Sequence, residues 1–155
     1  MSDGYGRVLF EKVFGAHLPL ILGRDFAGVV KAVGKEVKDF KAGDEVMGVV
    51  IPQSGTGSHA QLIVVPSDCV VMKPPNLTMI EAASIPYAGL TAWAGLKNAG
   101  GLGEVSNGKH VLVMGAAGGV GSIAIQLAKL WGSNVFFIKS IYYSRFNCLM
   151  IYCYR

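Results

Sequence analysis

Residues 115–121, GAAGGVG, put four glycines into seven positions, and the chain then turns aliphatic in SIAIQLA. The spacing of Gly115, Gly118 and Gly121, with Gly119 beside them, suits a backbone cradle for a dinucleotide pyrophosphate. A sharp turn requires backbone angles closed to residues with a Cβ, a bare Cα lets phosphate oxygens approach the amides, and the last glycine lets helix pack closely on strand. The first helical amides, around Gly119 to Ser122, then present unpaired N–H groups and the positive end of the helix dipole to the anion. Ala116 to Gly119 carry almost no side chain, so nothing bulky is expected where a ligand would lie. The same residues can also form a tight corner that binds nothing, and the flanking elements weigh between the two.

Those elements are legible on either side. HVLVMG is an apolar run of strand length in which Val111 and Val113 favour extension. Downstream, Ile123, Leu127, Leu130 and Trp131 recur at helical spacing on one predicted face. NVFFI then predicts a second buried strand. Strand, glycine turn, helix and strand within about thirty residues make a βαβ unit with parallel strands.

An NAD site usually places Asp or Glu about twenty residues beyond the glycines, on the adenosine ribose. Here that position reads Ile138-Lys139-Ser140, and no Asp or Glu follows Glu104. A Ser hydroxyl and a Lys ammonium suit a 2′-phosphate, so NADPH is the expected cofactor over NADH. Lys139 also fits the plainer role of a solvated residue at a strand end.

Upstream, Asp25 to Val71 reads as a small all-β unit. Its segments FAGVVKAV, DEVMGVV and HAQLIVV are cut by GKEVKDFKAG and IPQSGTGS. Lys73-Pro74-Pro75-Asn76 ends it, because paired prolines neither donate to a ladder nor continue a helix. Thr78 followed by Glu81 predicts a capping box opening an alanine-rich helix. Pro86 breaks that helix, and a second piece is predicted from Tyr87 to Ala99.

Composition narrows the function classes. At 52% hydrophobic and 15% charged, the 155 residues describe a chain with a core, not a disordered one. The formal charge of +4 comes from Lys and Arg scattered singly, which argues against a nucleic-acid or anionic-lipid surface. The longest uncharged run, Val111 to Ala128, reaches membrane-span length, but glycines cluster at its centre and no aromatic belt flanks it, so no transmembrane segment is expected. Cys69, Cys148 and Cys153 form no CxxC pair, and His17, His59 and His110 no ligand spacing, so neither a disulfide framework nor a metal site is predicted. MSDGYGRVLF lacks the apolar core of a signal peptide and the Arg-rich look of a transit peptide.

Three segments together carry a resemblance: GRDFAGVV…VG..V..F..GDEV (Gly23 to Val46), AASIPYAGLTAW (Ala82 to Trp93) and GKHVLVMGAAGGVGSIAIQLAK (Gly108 to Lys129). They resemble the medium-chain dehydrogenase/reductase superfamily, in its zinc-free quinone-oxidoreductase branch. LPLILGRDFAGVV with GYG upstream is similar to a mitochondrial, reticulon-interacting group within it. The resemblance runs from Gly4 to Ser140. It implies an α/β chain: a partial GroES-like β-barrel over residues 1–86, the first βαβ unit of a Rossmann domain over 87–140, and a tail, 141–155, outside the family pattern.

That resemblance further implies zinc-independent hydride transfer from NADPH to a quinone or an activated enone. The family's cofactor contacts carry over onto Ala117, Gly118, Gly119, Val120 and Gly121 at the pyrophosphate turn, and onto Ser140 at the ribose phosphate. Ala117 stands where the family often has Ser, so an amide contact remains and a hydroxyl contact is lost. Tyr5 and Thr91 fall near the substrate pocket, where packing roles compete with a catalytic one, and no catalytic acid is assigned. Zinc members of the superfamily have a His-Glu pair where this chain has Arg24-Asp25, and a guanidinium is a poor replacement for an imidazole ligand. Mitochondrial localisation, with a cytoplasmic one as the alternative, a homodimer, and a reticulon-type membrane-protein partner are implied on the same ground.

Two departures from the family bear on activity. The first strands of the barrel are missing from the start, and after Ser140 the expected helix and remaining strands are replaced by IYYSRFNCLMIYCYR. A dinucleotide straddles the point where strand order reverses, so its nicotinamide end needs the other half of the sheet. The tail is expected to arise from intron read-through or a truncated reading frame. A catalytically inactive interaction protein that keeps the turn as structure therefore stands beside the reductase reading.

Overall fold

The computed structural model describes residues 21–51, 57–103, 106–138 and 151–154. Tyr5, Lys139 and Ser140 lie outside the described residues, as does His17. The chain divides into two compact units, Met1–Tyr87 and Ala88–Arg155.

In the first unit β1 (Asp25–Val29), β2 (Glu45–Val49) and β3 (Val70–Met72) form an antiparallel sheet in that order, with Ala27 opposite Met47 and Met47 opposite Val71. The first two strands match the apolar runs of the sequence. HAQLIVV, predicted as a strand, is not one: Leu62 and Val64 are 70% and 92% exposed, and residues 60–65 make no ladder with a neighbour among the described residues. Alternation alone does not make a strand, because a pleated segment needs a partner edge to satisfy its backbone groups. The place beside β2 goes to β3 instead, which emerges from a single 3₁₀ turn at Ser67–Cys69.

The proline turn that closes this sheet is anchored by Lys73. Its side chain is only 5% exposed, and its Nζ donates to the carbonyl oxygens of Pro74 (3.0 Å) and Leu77 (2.5 Å) while pairing with Glu45 Oε2 at 3.2 Å. Each ammonium proton therefore has an acceptor, the condition under which a buried cation is tolerated.

The capping box opens α1 (Met79–Ala83) as its spacing predicts: Thr78 N–H donates to Glu81 Oε2 at 2.8 Å, and Glu81 N–H to Thr78 Oγ1 at 3.3 Å. The Thr78 backbone N–H, and after it the Thr78 hydroxyl, hold the Glu81 carboxyl below its ordinary pKa. A carboxyl depressed in the folded state binds more protons when unfolded, so its contribution is present above the ordinary Glu value and is lost as pH falls through the lower folded value. Melting temperature followed downward from about pH 5 is expected to fall less steeply for Glu81→Gln than for the parent. Thr78→Ala is expected to cost about 1 kcal/mol at neutral pH in denaturant titrations.

Pro86 ends the first helical piece and starts α2 (Pro86–Trp93), which widens into a π-helical turn over Ala94–Ala99, with Gly100 N–H donating to Gly95 O at 3.0 Å. The second unit then builds its core on β4 (His110–Met114), β5 (Asn134–Ile138) and α3 (Gly119–Leu130). β4 and β5 are parallel, with Val111 opposite Val135 and Met114 opposite Ile138, and α3 is the crossover between them. Val111 and Val113 are fully buried with Ala92, Leu96, Ala124 and Ala128. Trp131 meets Trp93 edge to face, ring centroids 5.2 Å apart, and Lys97 Nζ lies 4.7 Å from the Trp93 ring centre.

Two sequence expectations are corrected here. The buried stripe of α3 is Gly121, Ala124 and Ala128, not the bulky residues at similar spacing; Ile123, Leu127 and Trp131 flank it and Leu130 is 79% exposed. Small residues win the contact because they let the helix axis approach the sheet, and the larger side chains then splay to either side. β5 is also not a buried strand: Phe136, Phe137 and Ile138 are all exposed. It lies at the edge of its sheet, whose order is β5-β4-β6, and a parallel strand is buried only when neighbours cover it.

The third strand, β6 (Ile151–Tyr154), comes from the tail and pairs antiparallel with β4, Val113 opposite Ile151. In a doubly wound sheet the first strand of the βαβ unit is flanked on that side by a parallel strand of the second half. Here an antiparallel tail strand takes the position.

Candidate functional site

β4 delivers the chain into the glycine turn, and α3 starts directly after it. Gly115 has φ +76°, a left-handed conformation strained for any side chain, so the first glycine makes the corner. Its N–H and that of Ala116 both donate to Ile138 O, at 3.2 and 3.3 Å, which ties the corner to the end of β5. Gly118 N–H donates back to Gly115 O at 3.0 Å, and Gly118 itself is extended, at φ −80° and ψ 165°, as the residue before the helix. Gly121 is buried against the corner: a Cβ there would collide with Gly115 O and lie 2.8 Å from Ala116 Cα.

What remains is a row of donors. The N–H groups of Ala117, Gly119, Val120 and Gly121 have no hydrogen-bond partner among the described residues, whereas Ser122 N–H is taken by Gly118 O at 2.9 Å. Ala117, Gly118 and Gly119 are exposed, and a Cβ on Gly119 would meet only Ala88 Cβ at 3.8 Å. Helix starts leave their first amides unpaired, and these four stand on open ground with the positive end of the α3 dipole behind them. Ser122 Oγ turns inward to Gly119 O at 2.9 Å and leaves the row to the backbone. Gly118 differs from the other turn residues: its amide is already engaged, so its part is to keep space clear.

Thr91 is exposed on α2. Arg24 and Asp25, where zinc relatives hold ligands, have other partners. Arg24 Nη1 donates to Ile51 O at 3.4 Å, and Asp25 Oδ1 accepts the Tyr87 N–H at 2.6 Å, which satisfies an otherwise orphaned amide in the first turn of α2. The sequence reading assigned Asp25 no structural part; the signal was Pro86, a helix start with no Ser, Thr, Asp or Asn immediately before it. Among the described residues no three His, Cys, Asp or Glu gather closely enough to hold a metal ion. His59 is exposed, and His110 stacks on Phe136 with centroids 5.9 Å apart. Burial first, and then Asp68, push the Cys69 thiol above its ordinary pKa, which disfavours the nucleophilic thiolate. Among the described residues no helix is long and apolar enough to cross a membrane.

Residues 5–75 match the alcohol dehydrogenase GroES-like domain. The chain superposes on an alcohol dehydrogenase superfamily protein from Novosphingobium aromaticivorans with a TM-score of 0.77 at 40% identity, covering 88% of this chain and 41% of that one. The chain belongs to the medium-chain dehydrogenase/reductase superfamily. A second solved member of this superfamily, the quinone oxidoreductase from Coxiella burnetii, aligns with a TM-score of 0.73 at 38% identity, over 85% of this chain and 40% of its own. Among curated medium-chain relatives, the human mitochondrial NAD(P)H oxidoreductase RTN4IP1 is 44% identical over 144 residues. That alignment takes in 87% of this chain and 36% of the relative, so the chain spans about a third of the length of the curated medium-chain protein it matches. In superfamily terms the fold is a GroES-like domain followed by a partial Rossmann unit.

Proposed function

We propose that this chain carries the pyrophosphate half of a nicotinamide-cofactor site, with NADPH as the cofactor, in an oxidoreductase that reduces a quinone or an activated enone without zinc. The observation that carries the reading is the row of unpaired amides at Ala117, Gly119, Val120 and Gly121, standing over bare Cα atoms at the start of α3. The fit is chemical: a diphosphate needs several converging donors and no side chain in the way, and this turn supplies both from backbone. When bound, the nicotinamide supplies hydride from its C4 carbon. The part of this chain is to grip and orient the diphosphate, which fixes where the ring can reach. Ser140, with Lys139 beside it, is the proposed contact for the 2′-phosphate, and Tyr5 and Thr91 the proposed substrate-side residues. The domain limits proposed are 1–86, 87–140 and a tail of 141–155. The names of the relatives support a nicotinamide-dependent oxidoreductase and a mitochondrial location, and a homodimer and a reticulon-type membrane partner follow the same resemblance.

Titrating NADPH fluorescence with the 155-residue chain tests this. Saturable binding in the micromolar range, weaker for NADH, is expected; no change up to millimolar chain concentration would end it. One observation favours a second reading, in which the chain is a non-catalytic interaction protein. An antiparallel tail strand lies beside β4, where a complete nucleotide sheet has a parallel one. On that reading the amides bind no dinucleotide and the titration stays flat.

A further inference from the structure

The first unit holds a cavity of about 620 Å³ alongside β1, separate from the glycine turn. Its walls are mostly apolar, including Phe26, Val30, Phe40, Val46 and Ile63. Ser58 also lines it, and Ser58 Oγ is the single buried side-chain polar atom without a hydrogen-bond partner among the described residues. A buried hydroxyl left unpaired is destabilising and calls for an explanation. The backbone here is held firmly: Ser58 N–H donates to Gly23 O at 3.1 Å and His59 N–H to Leu22 O at 2.8 Å. The hydroxyl is therefore kept in place by the main chain, while its own hydrogen-bonding capacity is spent on nothing.

The charged groups on the cavity wall do not change this picture. The Asp25 carboxylate accepts the Tyr87 amide, and Lys31 is exposed. A volume of this size, apolar walls and one placed polar group describe a site for a small uncharged molecule, oriented by one hydrogen bond. We infer that the cavity binds a mainly apolar carbonyl compound whose oxygen accepts the Ser58 hydroxyl. The inference does not depend on cofactor binding, and the two are tested apart.

The probe is 6-propionyl-2-(dimethylamino)naphthalene, an uncharged ketone whose emission shifts to the blue in apolar surroundings. With the 155-residue chain, saturable blue-shifted emission is expected, unchanged by excess NADPH. Ser58→Ala is expected to weaken the probe about tenfold, the worth of one hydrogen bond. Because the Ser58 hydroxyl has no partner in the fold, the same variant is expected to melt at or above the parent temperature. Ala60→Trp, at an exposed position on the cavity wall, is expected to abolish the shift by filling the space. Absence of saturation, equal affinity in Ser58→Ala, survival of the shift in Ala60→Trp, or displacement by NADPH would each overturn the assignment. A Ser58→Ala chain that melts well below the parent would do so too, since it would show the hydroxyl to be structural.

Discussion

Gly121→Ala is expected to destabilise the chain by about 2 kcal/mol and to abolish NADPH binding. Alanine improves helix propensity over glycine by about 1 kcal/mol, so propensity alone predicts the opposite sign. The contacts decide it. A Cβ at this position meets Gly115 O and Ala116 Cα, with Gly115 C at 3.0 Å, and all of these are backbone atoms that no rotamer change can move. Relief requires α3 to lift from the corner, which is overpacking at the upper end of its usual cost of 1–3 kcal/mol. Lifting the helix also turns the amides of Ala117, Gly119 and Val120 away from a common point. The urea midpoint of the variant reads the first effect and NADPH fluorescence the second. Gly119→Ala is the control, since its Cβ finds only Ala88 Cβ at 3.8 Å; it is expected to be neutral or slightly stabilising.

Gly119→Asp separates folding from binding more sharply. The position is exposed and begins α3, and a carboxylate in the first turn interacts favourably with the helix dipole by about 0.5 kcal/mol. Stability is therefore expected to hold or rise. Affinity for NADPH is expected to fall by about two to three orders of magnitude, because the carboxylate occupies the phosphate position and two like charges at about 4 Å repel by about 4 kcal/mol at an effective dielectric of 20. Gly119→Asn, of the same shape without charge, is expected to lose far less. A Gly119→Asp chain that binds NADPH like the parent would remove the α3 amides from the site, and with them the reductase reading.

The two variants draw on different properties of one turn, which is why the site was partly legible in the sequence. Which glycine makes the corner and which packs the helix follows from their order after a strand, and Gly115 and Gly121 take those parts. The capping box at Thr78 and Glu81 and the parallel pairing of HVLVM with NVFFI depend on local spacing, and both are present as read. The engaged amide of Gly118 was not legible, because its acceptor, Gly115 O, is placed only once the turn has closed.

Periodicity misled where burial depends on neighbours distant in the chain. Leu130 shares the helical spacing of Ile123 and Leu127 yet lies in solvent, because the surface that would cover it is set by how closely Gly121, Ala124 and Ala128 let α3 approach the sheet. HAQLIVV and NVFFI carry strand-like composition, but one has no partner edge and the other is itself an edge. Asp25 capping a helix 62 residues away, the unpaired hydroxyl of Ser58, and a tail strand set antiparallel against β4 leave no mark in any short window of sequence. The sequence by itself determined the local chemistry: a turn that only glycine can make, a helix start with its donors unpaired, and the absence of acidic residues beyond it. Only the tertiary structure decided which donors stay unpaired and which apolar residues are buried, because both depend on what a distant segment brings within contact distance.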